Sequence, residues 1–383
     1  MHIHYLDYNA TTPLDDAVRE CVVSHLSTSW GNPSSVHRIG VAARAALDEC
    51  RYRMAELWRC KPSEVVFTSG GTESNNLAIF GVARGFKHRG RHLITSPVEH
   101  PAVLNAIDQL ERYDGFEVTR LGVDAFGRVA VASIAEALRP DTVLVTVMSA
   151  NNEVGTIQPV AEIGRLCRER GVAFHTDAVQ SLGKQPFTGM HTFEADTVAV
   201  CAHKFHGPKG VGALFVRSPL QPQSQHVGGG HENERRAGTE NLPAIAGMVG
   251  AFERFVMQPV FEAERLRALT EALAAGVVSI PGVTRRGHPE ARLPNTVAFS
   301  VEGCDGMSLV AGLDLEGICA SSGSACSAGS LEPSHVLKAM GVPASEANAL
   351  IRFSLGRDSQ RDAVDAVVEV LPRIVRRIRG ASR

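Results

Sequence analysis

Apolar and polar residues follow two rhythms along the first two-thirds of the chain. Short apolar runs rich in β-branched residues alternate with longer stretches in which apolar residues recur at helical spacing. Strands that alternate with helices predict a mostly parallel sheet covered by helices on both faces. Catalytic groups of such sheets collect beyond the carboxyl ends of the strands. The runs that predict strands are 64–68, 92–96, 143–148, 172–176, 197–201 and 212–216, and the stretches that predict helices include 74–85, 103–113 and 160–170.

The pattern changes after residue 230, and it predicts a second, smaller domain. Its predicted elements are a helical stretch at 242–275, strands at 296–300 and 351–355, and helices at 332–340 and 362–378, the last with an apolar stripe. Two domains also suit the length of 383 residues, which exceeds what one hydrophobic core usually serves. We expect an N-terminal segment (1–15) packed with the small domain, a large α/β domain (16–259) and a small α+β domain (260–383).

Composition narrows the classes of protein to which the chain could belong. With 39 basic and 41 acidic residues the net charge is −2, so charge gives no sign of a nucleic-acid partner. The N-terminus lacks the basic start and apolar stretch of a secretory signal, and no apolar run approaches the ~20 residues that span a bilayer. Eight cysteines at irregular spacings, without a CxxC pair, predict free thiols in a reducing cytoplasm, with no membrane and no resident metal.

A glycine-rich turn at residues 67–74 (FTSGGTES) follows a predicted strand and opens a predicted helix. The free N–H groups of that helix start, together with the Thr72 hydroxyl, would suit a phosphate group. The alternative is a tight turn that needs glycine for steric reasons alone.

Two further strand ends favour the phosphate interpretation. Asp177 ends the run that begins at residue 172, and Lys204 follows the next run. A lysine and a carboxylate on adjacent strand ends match the needs of pyridoxal phosphate: the lysine forms a Schiff base, and the acid keeps the pyridine nitrogen protonated. His203 and His206 flank the lysine, but without an acidic or thiolate partner nearby they indicate packing or substrate contact rather than a metal site.

Cys326 stands within the segment 321–330 (SSGSACSAGS), where small and polar residues surround it. A lone cysteine is most often a small buried hydrophobe, but these neighbours predict an exposed thiol on a loop. Such a thiol is a candidate nucleophile.

Together these motifs resemble those of cysteine desulfurases, in the class V branch of the fold type I pyridoxal-phosphate transferases. They occur in order over almost the whole chain, and the long SSGSAC loop is similar to that of the NifS/IscS-type branch. The motifs that carry the resemblance are 5–12 (YLDYNATT), 31–37 (GNPSSVH), 67–76 (FTSGGTESNN), Glu99–His100, 151–155 (NNEVG), 175–180 (HTDAVQ), 202–210 (AHKFHGPKG), 238–241 (GTEN), 321–337 and 352–356 (RFSLG).

The resemblance implies a role for individual residues toward pyridoxal phosphate. Lys204 would carry the cofactor, Asp177 would bind the pyridinium nitrogen, His100 would stack on the ring, and Gln180 would bind the ring oxygen. The residues implied to hold the phosphate are Gly71, Thr72, Cys201 and His203, helped by Thr239 of the neighbouring subunit.

For the substrate, the resemblance implies L-cysteine, bound by Asn152 and by the guanidinium fork of Arg352. The product would be L-alanine, and the sulfur would stay on Cys326 as a persulfide until an acceptor or scaffold protein takes it. His100 would assist the thiol's proton transfer. No resident metal is implied, although Cys326 could transiently ligate an iron–sulfur cluster.

Two positions depart from the family pattern, and both concern the phosphate site. Cys201 stands where a serine is usual, which replaces a good hydrogen-bond donor by a weak one. Ala237 stands where a serine often precedes the GTEN glycine. The expected consequence is a change in cofactor affinity rather than in the reaction.

Other functions remain open at this point. A class V aminotransferase would use the same cofactor without needing a thiol, a selenocysteine lyase could share the thiol, and a non-catalytic scaffold would not need Lys204, Asp177 and Cys326 together. Among sulfur-transfer pathways, iron–sulfur cluster assembly, nitrogenase maturation, tRNA thiolation and DNA sulfur modification are all compatible with the sequence. A homodimer is expected, since GTEN resembles a motif that reaches a neighbour's phosphate site.

Overall fold

The computed structural model of the chain describes residues 3–257, 261–323 and 333–381. Its strands are β1 (His4–Tyr5), β2 (Val65–Thr68), β3 (His92–Thr95), β4 (Glu117–Arg120), β5 (Thr142–Thr146), β6 (Ala173–Asp177), β7 (Thr197–Cys201), β8 (Gly212–Val216), β9 (Val283–Arg286), β10 (Thr296–Val301), β11 (Ile318–Cys319) and β12 (Leu350–Ser354). Its α-helices are α1 (Asp16–Thr28), α2 (Arg38–Trp58), α3 (Gly71–Gly85), α4 (Pro101–Tyr113), α5 (Val131–Ala137), α6 (Val160–Glu169), α7 (Leu242–Phe255), α8 (Ala263–Val278), α9 (Gly306–Asp314), α10 (His335–Ala339), α11 (Ala344–Ala347) and α12 (Arg361–Ala381).

The largest sheet among the described residues has the strand order β2-β8-β7-β6-β5-β3-β4. Neighbouring strands from β7 to β4 run parallel, and β8 is antiparallel to both of its neighbours. The predicted α/β fold with a mostly parallel sheet is therefore confirmed. Strands β5 to β8 are buried along their whole length, which explains why they read as continuous apolar runs.

The sequence pattern did not predict the edge strands β4 and β9. Strand β4 forms one edge of the large sheet, and its four residues are exposed or half-buried. Strand β9 is likewise at an edge, and none of its residues is buried. An edge strand facing solvent carries too little apolar contrast to be recognised from its own residues.

The C-terminal part contains an antiparallel sheet of order β12-β10-β9, with the apolar sides of α8 and α12 in its core. The N-terminal segment joins this part of the molecule: β1 pairs in parallel with β11, and Leu6 and Tyr8 belong to the same core. The domain limits at residues 15 and 259 stay a prediction.

The helical stretch predicted at 242–275 is wrong as one element, because the structure has two helices there, α7 and α8. The sequence itself offers the reason. Position 259 is a proline, which cannot donate to a helix and disfavours helical geometry in the residue before it. Within the described ranges no helix is long and apolar enough to cross a membrane.

Candidate active site

A cavity of about 290 Å³ lies beyond the carboxyl ends of β6 and β7, close to the lower limit of roughly 300 Å³ for small-molecule sites. Residues from the large sheet, from the C-terminal sheet and from the N-terminal segment line it. The sequence-predicted residues that the fold brings together at this cavity are Gly71, Thr72, His100, Asn152, Asp177, Gln180, Cys201, His203, Lys204 and Arg352.

One wall of the cavity is the start of α3, where Gly71 is the first helical residue. The N-cap residue, Gly70, offers no side-chain hydrogen bond, so the N–H groups of the first turn are available for an anion, apart from that of Gly71, which faces the Cys201 sulfur. A side chain at Gly71 would not fit, because an added Cβ would meet Cγ2 of Val179 at 2.9 Å. Glycine here allows the close approach between the helix start and the strand ends.

Cys201 lies beside this helix start, at the end of β7, and is 5% exposed. Burial raises the pKa of its thiol, while hydrogen bonds from the backbone N–H groups of Gly71 and His203 act in the opposite direction. Two backbone donors thus converge on the position where the family pattern expects a hydroxyl. Burial, together with the charges of nearby lysines, lowers the pKa of His203 to about 4, so its imidazole is neutral at pH 7.

Asp177 is held by a buried chain of hydrogen bonds. Its Oδ2 accepts from Nδ2 of Asn75 at 2.7 Å, and its Oδ1 accepts from the N–H of Val179 at 3.0 Å. Oδ1 of Asn75 is 3.0 Å from Nε2 of His175, whose Nδ1 is 2.9 Å from Oγ1 of Thr197. Burial lowers the pKa of His175 to about 4. The Asn75 amide directs its N–H toward the carboxylate and therefore its oxygen toward the ring. The neutral imidazole of His175 then donates to that oxygen from Nε2.

Lys204 follows β7, the strand adjacent and parallel to β6, which ends at Asp177. Its Nζ donates to the backbone carbonyls of Asn9 and Ala10, at 2.7 Å in each case. The Asn9 side chain reaches the C-terminal sheet, where its Nδ2 donates to Oγ1 of Thr296 at 2.9 Å. The N-terminal segment thereby ties the lysine amine to the C-terminal part of the molecule.

His100 lies between β3 and α4 and caps α4, since its Nδ1 accepts from the N–H of Ala102 at 3.0 Å. A ring nitrogen that accepts carries no proton, so the neutral imidazole has its proton on Nε2. The preceding residue, Glu99, is fully buried, and burial raises the pKa of its carboxyl to about 8. The acid next to His100 is therefore mainly protonated at pH 7.

Arg352 lies on β12 and is 1% exposed. Its Nη2 donates to Oδ1 of Asp7 at 2.5 Å, and its Nη1 donates to the backbone carbonyl of Asn152 at 2.9 Å. Its Nε has no hydrogen-bond partner among the described residues. A rigidly held guanidinium in the lining of the cavity suits the recognition of a carboxylate.

Thr239 is the one predicted site residue within the described ranges that does not line this cavity. Thr239 is exposed, as expected of a residue meant for a neighbouring subunit. Cys326 lies outside the described residues, so its place in the site stays a prediction. The described residues on both sides of that segment reach the cavity: Gly323 accepts from Nη1 of Arg352 at 3.3 Å, and His335 lines the wall.

Sequence reasoning missed several polar residues that complete the site: Asn9, Asn75, His175, Lys184 and His335. Four of them stood inside motifs that carried the resemblance, but a motif does not show which side chains bond to each other. Lys184 could have been suspected from its spacing, since it follows Gln180 by four residues. Among the described residues no cluster of His, Cys, Asp or Glu could hold a metal ion.

The residues present fit pyridoxal phosphate. An uncapped helix start with converging N–H groups suits the phosphate, and a buried carboxylate fixed by two donors suits the pyridinium nitrogen. Lys204 lines the same cavity, so its amine can reach a cofactor held between the helix start and Asp177.

Comparison with known proteins gives one consistent picture. Residues 4–367 match the family described as aminotransferase class V. The chain is 45% identical over 379 residues to a protein from Dictyoglomus turgidum named cysteine desulfurase IscS, covering 99% of this chain and 96% of that protein. Among solved structures it is similar to a NifS-like protein, with 36% identity and a TM-score of 0.90 over 98% of this chain and 99% of the other. A structure titled SspA in complex with cysteine is 35% identical, with a TM-score of 0.81 over 92% and 99% of the two chains.

Proposed function

Because the chain belongs to the class V aminotransferase family, we propose that it is a cysteine desulfurase that depends on pyridoxal phosphate and converts L-cysteine to L-alanine. The observation that carries the proposal is the pair of strand ends that bring Asp177 and Lys204 to one cavity beside an uncapped helix start. The names of the similar proteins agree with this activity, and one of them is described with cysteine bound.

Each part of the cofactor has a group to hold it. Lys204 would carry it covalently through Nζ, and the N–H groups at the start of α3, with Cys201 and His203, would bind the phosphate. Asp177 would keep a proton on the pyridine nitrogen, and His100 would cover the ring. When bound, pyridoxal phosphate withdraws electrons from the Cα of an amino acid. Nζ of Lys204 would be the base that takes the Cα proton of the substrate.

The substrate carboxylate would bind to Arg352, and Asn152 lines the same cavity. The thiol of Cys326 then takes the substrate's sulfur atom. The C–S bond of cysteine breaks, an S–S bond forms on Cys326, and the products are alanine and the Cys326 persulfide, so no external oxidant is required. A free thiol with a pKa near ~8.5 is mostly protonated at pH 7, so a base must assist this step.

We also propose that the protein acts as a homodimer and passes its sulfur to an acceptor protein. Thr239 supports the dimer, because it is exposed and does not line the cavity of its own chain. Arg236, three residues earlier, bonds through Nε to Oε1 of Glu73 at 2.7 Å, which fixes this segment near the start of α3.

The test of the activity is alanine formation from L-cysteine by the protein loaded with pyridoxal phosphate. Lys204→Ala should abolish it and remove the visible absorbance of the covalently held cofactor. Lys209→Ala, an exposed lysine five residues away, is the matched control and should retain both. Alanine formation by Lys204→Ala at the parental rate would contradict the assignment.

A further inference from the structure

Lys184 is a second lysine near the cavity, and it has no role in the reaction proposed above. Its side chain is buried, with 2% of the residue exposed. Its Nζ donates to Oε1 of Gln180 at 2.5 Å and to Oδ1 of Asn9 at 2.9 Å. Lysine is almost never buried without a partner, and the partners here are neutral amide oxygens rather than a carboxylate. Burial therefore costs the Lys184 amine its hydration, and the two hydrogen bonds fix the side-chain amides of Gln180 and Asn9.

The Gln180 amide is held in one orientation by these contacts. Its Oε1 accepts from Lys184, while its Nε2 donates to the backbone carbonyl of Asn9 at 2.9 Å. If the amide were turned over, its NH₂ would face an ammonium group and its oxygen would face a carbonyl, so both bonds would be lost. Nε2 retains a second N–H, in a side chain that lines the cavity.

The amines of Lys184 and Lys204 share one asparagine. Lys204 donates to the Asn9 backbone carbonyl at 2.7 Å, and Lys184 donates to Oδ1 of the same residue. Burial and the charges of Lys204 and Arg352 lower the pKa of Lys184 well below its usual range.

The other charged groups around this site are paired or neutral. Asp7 pairs with Arg352, and Asp177 accepts from Asn75. His203 is neutral because burial lowers its pKa.

We propose that Lys184 is a positioning residue that keeps the N–H side of Gln180 directed at the ring oxygen of the cofactor that Lys204 carries. This inference rests on the cofactor assignment of the proposed function, but it does not depend on the reaction with cysteine. An N–H donor stabilises the anionic form of the ring oxygen, which weakens that oxygen's hold on the proton of the neighbouring nitrogen. Lys184 thus sets the pH at which the nitrogen joining Lys204 to the cofactor loses its proton.

The experiment is a pH titration of visible absorbance, with the protein loaded with pyridoxal phosphate and no substrate present. Lys184→Met keeps an unbranched side chain, one atom shorter, and removes its hydrogen-bond donors. The midpoint should rise by about one pH unit, since one hydrogen bond to a charged group is worth about that much. Lys61→Met, which removes an exposed lysine that does not line the cavity, is the control and should leave the midpoint unchanged.

Gln180→Leu tests whether the effect passes through the glutamine. If it does, Gln180→Leu alone should raise the midpoint, and adding Lys184→Met should raise it little further. Lys184→Gln serves if the methionine variant does not fold, because its shorter side chain stops about one bond short of Gln180. An unchanged midpoint in a cofactor-loaded Lys184 variant, or fully additive shifts in the double variant, would overturn the proposal. A parent protein with no visible band would instead count against the cofactor assignment.

Discussion

Cys201 is the residue at which this chain departs most clearly from its family pattern. Its position in the structure predicts how the departure affects the affinity for the cofactor. The thiol is buried at the end of β7, where backbone N–H groups of Gly71 and His203 converge. We expect Cys201→Ser to bind pyridoxal phosphate at least as tightly as the parent, because a hydroxyl is the stronger donor to phosphate. The gain is at most about 1.5–3 kcal/mol, the value of a hydrogen bond to a charged group.

Equilibrium dialysis of the cofactor from parent, Cys201→Ser and Cys201→Ala proteins measures this difference. The alanine variant is the control for lost volume. Weaker retention by the serine variant would mean that the thiol serves packing rather than phosphate binding.

Substitution of Cys326 tests cofactor and substrate binding separately from sulfur transfer. Cys326→Ala should still hold the cofactor and bind cysteine, because Lys204, Asp177 and Arg352 remain in place. It should not accept sulfur. Mass spectrometry of the parent after addition of cysteine should find the extra sulfur atom on the peptide that contains residue 326, and the variant should lose it.

Cys304 provides the matched control for this prediction, since it is half-buried and outside the cavity. Cys304→Ala should accept sulfur as the parent does. Sulfur transfer by Cys326→Ala at the parental rate would exclude the persulfide route.

At the scale of elements, the turn between β3 and α4 contains an acid that the fold keeps protonated. Oε1 of Glu99 accepts from Oγ of Ser96 at 2.5 Å and from the N–H of Met148 at 2.9 Å. Its Oε2 has no hydrogen-bond partner among the described residues. Burial, with a smaller effect of the Asp177 charge, raises its pKa from 4.5 to about 8.

The pH dependence of stability follows from that shift. An acid whose pKa is higher in the folded state costs nothing below the unfolded pKa of 4.5, and its cost grows as the pH rises toward 8. Near pH 7 the cost is on the order of 3 kcal/mol. Glu99→Gln keeps an acceptor for both donors and removes the ionisation, so its free energy of unfolding should exceed the parent's at pH 7–8 and approach it near pH 5.

Urea unfolding of the apo protein at several pH values measures this difference. Glu56→Gln, on the exposed side of α2, is the control and should change stability little at any pH. A Glu99→Gln variant with the same pH profile as the parent would refute the assignment of the protonated acid.

At the scale of the whole molecule, exposed apolar residues are concentrated on α1, on α2 and in the connection between them. Leu26 is 60% exposed, Trp30 68% and Val36 95%. Exposed apolar side chains grouped in one stretch of the chain favour an interface between proteins. We expect sedimentation to give a dimer that carries the cofactor, and Trp30→Glu to weaken it, because a carboxylate would have to be buried without a partner.

Loss of the dimer should also release the cofactor, since the partner's Thr239 is proposed to complete the phosphate site. Dilution of the Trp30→Glu protein should therefore lower the bound cofactor more than dilution of the parent. Thr239→Val is the informative comparison: it should keep the dimer but bind the cofactor less tightly. An active monomer with its full share of cofactor would contradict the shared site.

The sequence by itself determined the features that depend on local burial and local geometry. Continuous apolar runs predicted the buried parallel strands, because such strands meet apolar neighbours on both faces. The glycines at the start of α3, Asp177 and Lys204 were recognisable, because each ends or follows a strand that the pattern had already located. The motifs then placed the chain in its family, and the comparisons confirmed it.

Only the tertiary structure decided how these residues are connected. Asn9 bonds to Lys204, 195 residues away, and to Asn295, 286 residues away. The periodicity of apolar residues cannot predict such pairs, because they depend on how the N-terminal segment packs between the large sheet and the C-terminal sheet. The orientation of the Gln180 amide and the proton positions on His100 and His175 depend in the same way on neighbours that the fold supplies. Residue types and spacing specify which groups are present, and the fold specifies the partner of each donor and acceptor, because hydrogen bonds form between atoms that are close in space.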